Sequence, residues 1–298
     1  MIKLHKVIDK VHEKYHGDNR VEKNLGLVED YILKSKETKP SKWEFDEKFW
    51  TESKPQLLAE TNQKCAYCEV PTKVVADGDV EHYRPKSKYW WLAYTYDNYL
   101  AACVQCNQRF KRDHFPILKE SSRWTATIKP IPKTATAKQK AAKLLSPDPC
   151  AAKGGMTWSQ YKKKHTSEKS LLINPYLDEP EEVFAYAWDH VLKTVEVVAK
   201  QPKFEAHVEH SCEVYGLNRQ ELKDLRYLEF LQTLTLKMTL EDPGISAHTK
   251  AFNRATYRLR MESGFAFAGM NRYIDTLDLD ELLDGLTPEM IEEALKVR

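Results

Sequence analysis

No apolar run in this chain approaches the roughly 20 residues that a membrane-crossing helix requires. The opening residues, MIKLHKVIDKVHEKY, alternate charged with apolar residues and lack the uninterrupted apolar centre of a secretory signal. Both absences lead to the expectation of a soluble, cytoplasmic protein with no membrane partner. Nor is there a large excess of one charge. Lys and Arg number 46 and Asp and Glu 44, a net charge of +2, so bulk charge does not mark the chain as a nucleic-acid binder. No internal repeat is visible. Cysteine is scarce, with six in 298 residues. Cys150 and Cys212 stand far apart without flanking cysteines, and in a reducing compartment they are expected to be free thiols.

The other four cysteines form two pairs, Cys65-Ala-Tyr-Cys68 and Cys103-Val-Gln-Cys106. Two C-x-x-C knuckles separated by a few dozen residues can supply four thiolates to one tetrahedral ion, which reads as a structural zinc site. Such a site is closed and does no chemistry. It staples a unit too small to hold itself together. Between the knuckles lies Asp79-Val80-Glu81-His82-Tyr83-Arg84-Pro85, and Asn107, Arg109 and Lys111 follow the last cysteine. One small unit therefore offers a base, carboxylates and an amide oxygen, the groups needed for metal-assisted hydrolysis of a phosphodiester.

Around this unit the pattern is mostly helical. Val21, Leu25, Val28, Ile32 and Leu33 recur at helical spacing, and Trp43, Phe45, Phe49 and Trp50 supply bulky anchors. Thr72 to Glu81 reads as a short hairpin with Asp77-Gly78 at its turn. Lys86 to Tyr99 is an aromatic-rich connection, and Asn107 to Arg112 a basic helix. From Lys119 to Lys169 the chain is dense in Lys and Arg against Glu120, Asp148 and Glu168. It reads as a solvated insertion, partly helical around Thr136 to Leu145, with a hinge or turn at Gly154-Gly155. Phe184 to Trp188 and Val195 to Val198 read as strands, and Leu222, Leu225, Leu228, Leu231 and Leu234 as the apolar stripe of a long helix. The expected division is an N-terminal helical segment (1–63), a metal unit (64–118), a basic insertion (119–170) and a mostly helical C-terminal domain (171–298). The C-terminal end is acidic, from Asp275 through Asp284 to Glu293. This asymmetry suggests separate faces for a polyanion and for another partner.

The order Glu81-His82, Asp97-Asn98 and Cys106-Asn107 between and after the knuckles resembles the HNH (ββα-metal) endonuclease family over residues 65–116. The segments Glu81-His82-Tyr83-Arg84-Pro85-Lys86-Ser87, Trp91-Leu92-Ala93-Tyr94, Phe115-Pro116 and Leu172-Ile173-Asn174-Pro175 are further similar to the HNH subunit of Septu-type and retron-associated anti-phage systems. The resemblance implies an α+β protein in which a zinc-stapled ββα-metal HNH core is embedded in a mostly α-helical chain. By the same resemblance His82 is the general base. Asn107 and the acid before His82 hold a catalytic Mg²⁺ or Mn²⁺, and Asn98 fastens the loop that aims His82. Arg84, Lys86, Arg109 and Lys111 are the phosphate contacts. The acid at this place is usually Asp in the family and is Glu81 here. In an extended strand Glu81 and His82 face opposite sides and converge only if the strand ends or twists there. Asp79 is the alternative metal ligand, and His114 a further candidate. The implied function is a nuclease, with DNA favoured over RNA, acting in defence beside an ABC-type ATPase. A tRNA-cleaving nuclease and a non-catalytic zinc-dependent nucleic-acid-binding module remain open.

Overall fold

The helical spacing near the N-terminus becomes helix α1 (Gly17–Lys34), yet its most deeply buried residues include Arg20 and Asn24 beside Leu27 and Val28. The structure is a computed structural model and describes residues 1–39, 41–72, 78–126, 128–148, 156–287 and 289–290. Helix α2 (Glu47–Thr51) and helix α3 (Lys54–Glu60) then lead to the first knuckle. Among the described residues there are two small sheets. Strand β1 (Asp79–His82) runs antiparallel to β2 (Tyr99–Ala102), with His82 opposite Tyr99 and Asp79 opposite Ala102. A π-helix (Gln105–Lys111) follows β2. Helices α4 (Ala135–Leu145), α5 (Trp158–Glu168) and α6 (Pro180–Val183) precede the second sheet, β3 (Phe184–Asp189) against β4 (Thr194–Ala199). Helices α7 (Glu205–Tyr215), α8 (Gln220–Glu241), α9 (Ala247–Met261), α10 (Ala268–Asp275) and α11 (Leu279–Leu283) complete the order.

The fold is thus mixed α and β, with helices dominant and each sheet only two strands wide. Half of the hairpin expected over Thr72 to Glu81 (residues 73–77, including Asp77 of its turn) falls outside the described set, as do Gly154-Gly155 and Cys150. What is described is that β1 pairs across the aromatic connection with β2. Tyr89, Trp91, Tyr94, Tyr96 and Tyr99 are all buried, so this connection packs beneath the sheet and offers no bases a stacking face. Burying these rings supplies much of the apolar area removed from water here.

Two expectations are corrected. The leucines spaced by three along α8 do not all lie on its core face: Leu222 and Leu234 are buried, but Leu225 and Leu228 are 47% and 53% exposed. Each step of three residues falls short of a full turn, so such a stripe winds around the helix. The buried face is instead Leu222, Arg226, Tyr227, Phe230, Thr233 and Leu234. The described residues of 119–170 are likewise not all solvated. Ala142 of α4 is buried against α1, where Asn24 Nδ2 donates to Ala142 O at 3.2 Å and Arg20 Nη1 to Ser146 O at 2.8 Å. Tyr161, His165 and Glu168 of α5 line one buried face. Its lysines hide that face from a composition count, because they occupy the opposite side of the helix.

Buried ion pairs join segments that are remote in the chain. Arg84 Nε meets Glu168 Oε2 at 2.8 Å, both fully buried, and Tyr89 Oη donates to Glu168 Oε1 at 2.6 Å. Glu60 of α3 receives Lys6 (3.5 Å), Tyr96 Oη (3.0 Å), Tyr176 Oη (2.9 Å) and the Val7 amide (2.9 Å). Asp97 is buried nearby with its Oδ1 unbonded, and burial pushes its pKa up to about 7 against the pull of Lys6 and Arg20.

Two predictions follow from these networks. Glu168→Gln leaves Arg84 charged and buried, which should lower unfolding stability by about 3–5 kcal/mol in denaturant titration; a change within 0.5 kcal/mol would refute the role given to the pair. Native Asp97 keeps its proton up to about pH 7, whereas the unfolded chain releases it near 4. Stability therefore falls as pH rises across that window, and above it the whole cost is present. Asp97→Asn removes this cost, so its stability advantage over the natural chain should grow from pH 4 to 7 and reach a few kcal/mol at most. A pH-independent difference between the two would contradict the assignment.

Candidate active site and four-thiol centre

The two knuckles meet because β2 lies between them. The Ala66 amide of the first knuckle donates to Ala101 O of β2 at 2.8 Å, and Cys103 follows directly after the strand. The four sulfurs all lie within 4.8 Å of one another, with Cys68 and Cys103 at 3.9 Å. A tetrahedral ion with bonds of about 2.3 Å to sulfur separates its ligands by roughly 3.8 Å, so the donor set and spacing fit zinc. The Cys106 amide also points at Cys103 Sγ from 3.5 Å, a hydrogen bond that favours a thiolate. Four cysteines that could hold a metal such as zinc are therefore gathered at one place. Among the described residues they are the one group of three or more His, Cys, Asp and Glu side chains so placed. Cys212 lies apart, where burial pushes its thiol up to about 12.

Beside this centre, β1, the π-helix and α2–α3 enclose a cleft of about 380 Å³. Asp79, Glu81, His82, Lys86 and Asn107 all line it. The strand ends at His82, and there both Glu81 and His82 reach the cleft despite strict alternation along β1. His82 is buried, with its ring edge-on to Trp50 at 4.8 Å and to Tyr99 at 5.0 Å. Its Nε2 lies 2.9 Å from Ala93 O. A carbonyl can only accept, so Nε2 carries the proton in the neutral ring and Nδ1 keeps the lone pair. Burial, with Lys86 and Lys111 adding to it, pushes the His82 pKa down to about 3. The imidazole is therefore neutral at physiological pH.

Asn98 is buried and grips the chain after His82. Its Oδ1 accepts from the Arg84 amide and its Nδ2 donates to Arg84 O, both at 2.9 Å. Asn107 Nδ2 donates to Asp79 Oδ2 at 3.2 Å, and Gln108 Nε2 to the same oxygen at 2.9 Å. The Glu81 carboxylate is engaged otherwise. Lys111 Nζ stands 2.5 Å from Glu81 Oε1 and donates to His82 O at 2.9 Å. Burial raises the Glu81 pKa, and the Lys111 ammonium opposes that rise. Of the two carboxylates, Asp79 is the one held beside Asn107.

The four expected phosphate contacts divide. Lys86 lines the cleft, with its ammonium 4.9 Å from the Trp50 ring. Arg109 is exposed but lines neighbouring hollows with Phe110, Arg219 and His114. Arg84 and Lys111 are fully buried and turn inward, Arg84 to Glu168 and Lys111 to Glu81, so neither is a surface phosphate contact in this structure. Lys111 turns inward because the segment after Cys106 is a π-helix. Bonds closing at i→i+5 bring Cys106 and Lys111 onto one buried side, whereas an α-helix would set them far apart around its axis. The Arg112 amide closes the last such bond to Asn107 O at 2.8 Å, with Arg112 at φ +46°. That turn puts Arg112 on the cleft with Lys54 and Gln108, residues that sequence reading missed. Gln108 adjoins Asn107 and could have been suspected, whereas nothing in the local pattern marks Lys54. His114 does not line the His82 cleft; it belongs to the hollow with Arg109.

No helix among the described residues is long and apolar enough to cross a membrane. No family model matches the chain, and no solved structure matches it. The chain is similar to the Septu protein PtuB of Bacillus mycoides (strain KBAB4), at 29% identity over 203 residues. The match covers 63% of this chain and 54% of that relative, so the chain spans about half the length of the curated protein it matches.

Proposed function

We propose that this protein is an HNH-type, metal-dependent endonuclease that hydrolyses phosphodiester bonds, with DNA the favoured substrate. We further propose that it acts in anti-phage defence with an ABC-type ATPase partner. The observation that carries the reading is His82. Its imidazole is neutral, has its proton turned to Ala93 O, and shares a cleft with Asp79 and Asn107. The similarity to a Septu protein supports the defence role.

In this reading, His82 Nδ1 takes a proton from water as the water oxygen attacks phosphorus; the P–O3′ bond breaks and the departing 3′-oxygen takes a proton from solvent, giving a 5′-phosphate and a 3′-hydroxyl. An entering phosphate offsets Lys86 and Lys111, the cations that add to burial in depressing His82, and so makes it a better base. Trp50 and Tyr99 hold the ring, while Asn98 fixes the backbone that follows it. One carboxylate and one amide oxygen, from Asp79 and Asn107, suit a hard cation that keeps several waters. When bound, Mg²⁺ or Mn²⁺ would neutralise charge developing on the phosphoryl oxygens. Lys54, Lys86 and Arg112 are the side chains that would meet the phosphate backbone.

Labelled plasmid DNA and total tRNA, incubated with the protein with and without the ATPase, test this reading. Cleavage should require Mg²⁺ or Mn²⁺, stop with EDTA, and fall at least about 100-fold in His82→Ala. Loss of tRNA with plasmid intact would move the substrate to RNA. Nucleic-acid binding without cleavage under any of these conditions would leave a binding module. The thiol centre should carry one zinc per chain by elemental analysis. Cys68→Ser should lose it and unfold at lower temperature, since metal binding here is folding energy; a zinc-free natural protein would remove zinc from the account.

A further inference from the structure

Arg219 lies more than a hundred residues from the second knuckle in sequence, yet its guanidinium touches the four-thiol centre. Nη1 is 3.5 Å from Cys106 Sγ and Nη2 3.9 Å from Cys68 Sγ. Among the described residues no other non-cysteine side chain donates to these sulfurs. The turn between α7 and α8 is shaped to hold it there. Nη1 also donates to Gly216 O at 2.9 Å, and the guanidinium lies 5.9 Å from the Phe110 ring. Gly216 adopts φ +64°, and a Cβ on it would come within 2.6 Å of that ring, so only glycine lets the turn approach so closely. One residue earlier, Tyr215 stacks on Tyr67, which sits between Cys65 and Cys68, at 3.9 Å and 11°.

Four thiolates around a divalent zinc carry a net charge of −2. Cys65, Cys68 and Cys106 are buried, so solvent screens that charge poorly. A guanidinium at hydrogen-bonding distance offsets it and draws electron density from the sulfurs. We propose that Arg219 is an outer part of the metal site, donating to the Cys68 and Cys106 thiolates. It would slow loss of the metal and make the docking of α8 on the core depend on zinc. This rests on the reading that the four thiols hold zinc.

The test uses the full chain. Wild-type protein, Arg219→Gln and Arg219→Met are loaded with Zn²⁺, and transfer of the metal to a chromogenic chelator is timed. Folding is checked by circular dichroism. Both variants should release zinc about 10-fold faster or more. After Co²⁺ substitution, their sulfur-to-cobalt charge-transfer band should move to longer wavelength, because the sulfurs have become more electron-rich. A merely structural role would not move that band. Either variant, folded and loaded, that matches the wild type in both release rate and band position overturns the proposal. A wild-type protein that takes up neither zinc nor cobalt would bring down the zinc reading itself and this inference with it, a result distinguishable from the first.

Discussion

Four sulfurs within 4.8 Å of one another are the constraint on which the rest of the site depends. A two-stranded sheet with four residues in each strand cannot hold itself together in water. Here Cys103 and Cys106 fix where β2 ends and the π-helix begins, and Cys65 and Cys68 pin the chain that crosses β2. The cleft residues of β1 and the π-helix are placed from those ends. His82 lies opposite Tyr99 at one end of β2, and Asn107 comes directly after the last thiol.

A second layer of order comes from charges that face inward. Arg84 with Glu168, Lys6 with Glu60, and Lys111 with Glu81 each join residues that are distant in the chain and place them where water is excluded. Such pairs are expensive to bury and poor evidence of net stability, but each severely penalises arrangements that leave one partner alone. In this chain they fasten the N-terminus, α3, α5 and the π-helix around the two short strands. The Lys111 pair also bears on chemistry. It occupies the Glu81 carboxylate and leaves Asp79 as the acid beside Asn107.

Much of this was legible in the sequence. The knuckle spacing marked the four-thiol centre, the strands at 184 and 195 were visible in their composition, and α1 followed from periodicity. Other features were not legible, for identifiable reasons. Arg20, Asn24 and Glu168 look like surface residues because a sequence shows charge but not the partner that satisfies it. The leucines of α8 repeat every three residues, a spacing that drifts around a helix. Lys111 reads as a surface cation if the segment is taken as α-helical, and only the wider hydrogen-bond spacing turns it inward.

The sequence by itself determined the set of four thiols, the order of acid, histidine and asparagines around it, and the predominance of helix. These are properties of residue type and local spacing, which need no knowledge of distant contacts. Only the tertiary structure decided which nitrogen of His82 carries the proton, which carboxylate stands beside Asn107, and which basic residues face the cleft. Each of those outcomes depends on a partner brought from elsewhere in the chain (Ala93 O for the imidazole, Lys111 for Glu81, Glu168 for Arg84), and burial makes the partner, not the residue type, set the role.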